Sequence, residues 1–160
     1  MNVYLRNTAL ALLTTILFSN QTLAEIRMTA FAAAPAFNAL KVGNAEWALR
    51  FFENRKLENM NFSAANNLCV AQVLKKQLTR ANSSCEAALT KTAKSAYLTG
   101  ARRRKEAEAI ILSNLAMIGL LSGNLEAARE YAEQASARNT LDRETKALLD
   151  SSMSRPLAIK

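Results

Sequence analysis

The chain has 160 residues, half of them hydrophobic, with four glycines and two prolines, which fits one domain and would crowd two. It contains no histidine, so the commonest general base, the usual zinc ligand and the imidazole pH switch are missing together. A formal net charge of +8 and a pI near 9.9 favour anionic surfaces, whether lipid headgroups, polysaccharide, nucleic acid or an acidic protein, without choosing among them.

Met1 to Arg6 carries one positive charge, Thr8 to Phe18 (TALALLTTILF) is apolar, and Ser19 to Ala24 is polar and ends Thr-Leu-Ala. This is the three-part layout of a secretory signal peptide, with cleavage expected after Ala24. The apolar run of 11 residues falls short of the roughly 20 that cross a bilayer. The competing readings are a buried amino-terminal helix and a retained anchor. No cysteine comes after the run within this segment, which disfavours a lipoprotein. Residues 1–24 hold one basic residue and no acidic one, so the basic character belongs to the rest of the chain.

Beyond Ala24 the chain is rich in Ala, Leu, Lys, Arg and Glu, residues that lose little side-chain freedom in a helix. Residues 25–56 read as an incomplete first repeat and amino-terminal cap. Ala45, Ala48 and Phe52 come after Gly43 at helical spacing before Arg55 breaks the pattern. Pro35 suits a first helical turn and not its middle, so the segment before Gly43 is expected to be short or irregular. Residues 57–92 read as a helical hairpin: Asn67-Leu68-Cys69 opens an apolar-periodic stretch, and Leu78, Ala81, Cys85 and Ala88 place a second stripe on one helix face. Residues 93–138 repeat this with Asn114-Leu115-Ala116 and with Leu125, Ala128, Ala132 and Ala135 at the same offsets of 3, 7 and 10.

The copies are unevenly spaced, 33 residues from Ala45 to Leu78 and 47 from Leu78 to Leu125. The excess lies between Thr90 and Lys105 and is read as a longer second helix, a turn near Gly100 and an extended next helix starting in Ala101-Arg102-Arg103-Arg104-Lys105. Asn139-Thr140-Leu141-Asp142 offers a helix start for 139–153, where Leu141, Leu148 and Leu149 give an apolar stripe to cover the last hairpin. Residues 154–160 form a tail.

On these positions, the stretch from Gly43 to Ala137 resembles the tetratricopeptide repeat family, whose unit is an antiparallel helix pair of about 34 residues. Gly43 and Gly123 match helix-ending turns, Ala81 and Ala128 the small residues where paired helices cross, and Leu68 and Leu115 the core. Lys76 stands where a turn glycine is expected, Gln72 and Gly119 stand where a large aromatic is usual, and no proline closes either repeat. The resemblance implies an all-α fold, a short stack of antiparallel helical hairpins (a TPR-like α-solenoid) with a terminal capping helix.

It also implies a concave surface lined by Ser63, Asn66, Val70, Val73 and Leu74 from one repeat and Ile110, Ser113, Met117 and Leu120 from the next. Such a groove suits an extended or helical peptide segment, with Asn66 facing the ligand and Asn67, like Asn114, at a framework position. The competing reading is that these apolar residues pack against neighbouring helices. Cys69 and Cys85, the only cysteines, fall on the inward faces of one hairpin. Where the family puts small residues, facing helices come close enough for a disulfide, and export would oxidise it; in a reducing compartment they would be buried free thiols. They form no Cys-x-x-Cys motif and, without histidine, make a poor zinc site.

Arg102, Arg103, Arg104 and Lys105 are the densest charge cluster, either a grip for phosphates or an acidic partner or a solvated helix start. No basic and aromatic interleaving or helix-turn-helix frame points to nucleic acid, and no nucleophile with a base, carboxylate pair or phosphate-cradling loop points to an enzyme. The expected function is an exported, periplasmic or secreted adaptor that needs no cofactor or metal and binds a peptide or protein segment. The alternative is a cationic envelope-associated protein that binds anionic polymer or lipid through Arg102 to Lys105.

Overall fold

The computed structural model describes residues 28–138. The expected signal peptide, the expected capping helix over 139–153 and the tail lie outside the described residues. Among those described, the order is α1 (Phe37–Lys41), α2 (Ala45–Arg50), a 3-10 turn (Leu57–Asn59), α3 (Phe62–Leu74), α4 (Leu78–Thr92), α5 (Ala101–Ser122) and α6 (Leu125–Arg138). The fold is all-α, and its six helices pack in sequential adjacent pairs: α3 lies on α4, α4 on α5 and α5 on α6, with the shorter α1 and α2 against α3. None of these helices is long and apolar enough to cross a membrane.

Three of the turns are built alike. Gly43, Lys76 and Gly123 take positive φ angles of 70°, 57° and 77°. In each turn the next amide donates to a carbonyl five residues back, Asn44 to Ala39, Gln77 to Gln72 and Asn124 to Gly119, all at 2.9 Å. The left-handed residue donates to the carbonyl three back, Gly43 to Leu40, Lys76 to Val73 and Gly123 to Leu120. These paired bonds satisfy carbonyls that a helix end leaves without partners. Every time, the next helix begins two residues later, at Ala45, Leu78 and Leu125. Glycine reaches this conformation freely, and Lys76 adopts the glycine conformation without being glycine.

The amino ends of α2, α3 and α6 are fixed by asparagine. Asn44, Asn61 and Asn124 accept from the amides of Trp47, Ala64 and Ala127 at 2.9, 2.9 and 3.1 Å, supplying acceptors to otherwise unpaired donors. The stripes of small residues meet the core as their spacing predicts. Ala81, Cys85 and Ala88 on α4 and Ala128, Ala132 and Ala135 on α6 are all buried, as are Ala45, Ala48 and Phe52 upstream. Leu115 is fully buried, and Leu68 packs at the core edge.

Two positions that depart from the repeat pattern have local structural roles. Gly119 is where α5 and α6 touch: a Cβ there would lie 2.9 Å from the backbone of Ala128. Gln72 is buried and accepts from the hydroxyl of Ser84 at 2.8 Å, a polar pair across α3 and α4. Cys69 and Cys85 join the same two helices through a disulfide, with Cα atoms 5.4 Å apart. The longer spacing upstream of Leu125 is taken up by residues 93–100 and the 22-residue α5, whereas α4, with 15 residues, barely exceeds the 14 of α6. Arg138 on α6 pairs with Glu108 on α5 at 2.8 Å, and Glu108 accepts from Thr92 on α4 at 3.4 Å, tying three helices together.

Candidate binding groove

Residues 28–31, Met-Thr-Ala-Phe, precede the first helix and form no regular element of their own. They cross the inner faces of α3 and α5 as an arm held by three fully buried asparagines, Asn66, Asn67 and Asn114. Asn114 Oδ1 accepts from the Thr29 amide at 2.9 Å, and its Nδ2 donates to the Thr29 carbonyl at 2.8 Å. Asn67 treats Phe31 in the same way, accepting from its amide at 2.7 Å and donating to its carbonyl at 3.0 Å. Asn66 Nδ2 donates to the Thr29 carbonyl at 2.9 Å, and its Oδ1 accepts from Asn114 Nδ2 at 2.9 Å. Asn67 Nδ2 also reaches the carbonyl of Pro35 at 3.1 Å.

The geometry arises from the chemistry of the amide. An asparagine side chain presents one carbonyl and one NH2, the same donor and acceptor pair as a peptide unit. In an extended strand the N–H and C=O of a residue point to the same side and alternate along the chain. Residues two apart therefore turn their polar groups to the same wall, and here those residues are Thr29 and Phe31. Through these asparagines the two helices meet the backbone of the arm as a strand edge would. Each net bond is worth about 1 kcal/mol, and leaving any of these buried amides unpaired would cost more than that.

The side chains of Met28, Ala30 and Phe31 also pack against the core. The Phe31 ring meets Phe62 edge to face, with centroids 5.3 Å apart and planes at 82°. Beside the arm lies a cleft of about 770 Å³, bounded by Met28, Thr29 and Ala30 and by Leu40, Val70, Val73, Leu74, Lys76, Leu78 and Leu121.

The residues expected to line a groove are distributed unevenly. Asn66 is turned to the inner face, but its amide is committed to Thr29 and to Asn114 of the same chain. Val70, Val73 and Leu74 bound the cleft, and Leu74 is 46% exposed. Ser63 is half-buried and donates to Asn61. Ile110 and Leu120 are half-buried, while Ser113, donating to the Ala109 carbonyl, and Met117 are buried and offer an incoming molecule little surface. Asn67 and Asn114, read from sequence as framework, make the paired backbone contacts. Their equivalent places in two hairpins are visible in the sequence, but the identity of what they hold is not.

Arg102, Arg103, Arg104 and Lys105 are all exposed on the first turns of α5, and Arg102 pairs with Glu106 at 2.8 Å. Burial and then the nearby Glu86 and Glu130 carboxylates raise the Tyr131 phenol above its ordinary value. Comparison of the chain with protein-family models, with curated proteins and with solved structures found no match.

Proposed function

We propose that the chain is an exported binding module of tetratricopeptide type that holds an extended peptide or protein segment across α3 and α5. The observation that carries this reading is the pair of buried asparagines, each bonded to both the amide and the carbonyl of one arm residue, two residues apart. A wall built to pair with backbone is a wall suited to an extended chain of varied sequence. The repeated turns at Gly43, Lys76 and Gly123 support the repeat assignment. The disulfide agrees with an oxidising compartment and so with export.

The test is selection of displayed peptides on the immobilised full chain, then binding to Asn67→Ala and Asn114→Ala proteins checked for helical content. Enriched peptides should lose at least tenfold in affinity on both variants. Peptides that bind the folded variants as well as the parent, or a selection that enriches nothing, would contradict the reading.

A second reading, binding of an anionic polymer or lipid surface, is favoured by the exposure of all four residues from Arg102 to Lys105. It requires binding to anionic vesicles that falls steeply with salt and is lost on Arg103→Glu/Arg104→Glu. Vesicle binding unchanged by those substitutions would contradict it.

A further inference from the structure

The arm fills the groove incompletely. Met28, Thr29 and Ala30 all border the cleft of about 770 Å³, whose other walls include Val70, Val73, Leu74 and Leu121. Ala30 reaches this apolar space with a single methyl group, leaving Leu74 and Leu121 46% and 39% exposed. The Thr29 and Phe31 backbones are bonded to the wall, while the cleft beside them keeps about 770 Å³ of space.

A tethered segment meets its site at an effective concentration on the order of millimolar, so a short arm can occupy the groove without binding tightly.

We infer, resting on the groove reading of the function, that residues 28–31 are a displaceable place-holder, and that the partner that replaces them is an extended peptide with a large aliphatic side chain where the arm has Ala30 and an aromatic residue immediately after it. The asparagines would hold its backbone as they hold Thr29 and Phe31. Its aliphatic side chain would fill the cleft, and its aromatic ring would take the place of Phe31 against Phe62.

The probes are two labelled synthetic peptides supplied in trans: the sequence of residues 27–33, and the same peptide with leucine replacing the alanine that corresponds to Ala30. Binding is read by fluorescence anisotropy on the full chain and on the full chain carrying Thr29→Pro and Phe31→Ala. That variant removes the Thr29 amide donor and the ring on Phe62 while leaving the groove intact. The leucine peptide should bind the unaltered chain at least tenfold more tightly than the alanine peptide, since three carbons are gained and burying each in full is worth about 0.8 kcal/mol. Both peptides should bind the variant at least tenfold more tightly than the unaltered chain.

Equal affinity of the two peptides overturns the cleft preference, and equal affinity of the two proteins overturns the place-holder; either result leaves the groove itself standing. Binding of neither peptide by either protein, with both folded by circular dichroism, overturns the groove reading as well. The comparison of peptides on the unaltered chain holds even if the variant folds poorly.

Discussion

Asn114 makes three contacts with one side-chain amide, accepting from Thr29 and donating to the Thr29 carbonyl and to Asn66. Asn114→Ala leaves the Thr29 amide and the buried Asn66 Oδ1 without partners, while the Thr29 carbonyl keeps Asn66 Nδ2, and should lower stability by about 1–3 kcal/mol in urea unfolding; a loss under about 0.5 kcal/mol would mean that water replaces these bonds. Lys76 is the converse case. Its left-handed backbone costs an L-residue about 1–2 kcal/mol, and glycine would recover this less its own extra chain entropy. Lys76→Gly should therefore raise the thermal midpoint, by roughly 0.5–1 kcal/mol in stability, and a lowered midpoint would show that the lysine side chain itself stabilises the turn. The sequence reveals the turn at Gly43 and Gly123 because glycine advertises positive φ. At Lys76 the residue type gives no such signal and only alignment with the other copies puts a turn there, where the hydrogen bonds of the turn impose the conformation on a lysine.

Helices are announced by small residues at fixed offsets, since Ala81, Cys85 and Ala88 or Ala128, Ala132 and Ala135 can only share a buried face if the chain coils at helical pitch. The same smallness sets the distance between elements. Because Gly119 touches the backbone of Ala128, Gly119→Val must push α5 from α6 and should cost about 1–3 kcal/mol, read as a drop in the urea midpoint; an unchanged midpoint would contradict the close approach. Between α3 and α4 the covalent tie is the stronger device. It joins residues 16 apart in sequence, a loop closure worth about 3 kcal/mol in the chain-entropy model. Unfolding with and without reductant should differ by that order, and identical curves would show that packing of α3 on α4 alone suffices. Spacing also locates the extra length between Thr90 and Lys105, and Gly100 marks where α5 begins, but the longer second helix expected there is absent: α4 ends at Thr92, and residues 93–100 take up that length without helix.

At the scale of the molecule, the arm is what converts a set of helix pairs into a groove with contents. Asn67 ties it to α3 and Asn114 ties it to α5, so the segment before the first helix bridges two hairpins whose asparagines are far apart in sequence. This bridge leaves no mark in the sequence. Met28 to Phe31 shows no period, no charge pattern and no motif, and recognition through backbone leaves no trace in side-chain chemistry. The sequence does display the recurrence of Asn-Leu at 67 and 114, in equivalent places of two hairpins. The reason for that recurrence is a pair of peptide-like amides set to meet alternate residues of one strand. Amide hydrogen exchange on residues 29 to 31, resolved by NMR, tests this arrangement most directly. The amides of Thr29 and Phe31 should exchange slowly and that of Ala30 fast, with Phe31 losing its protection in Asn67→Ala; uniform fast exchange at all three positions would contradict the account.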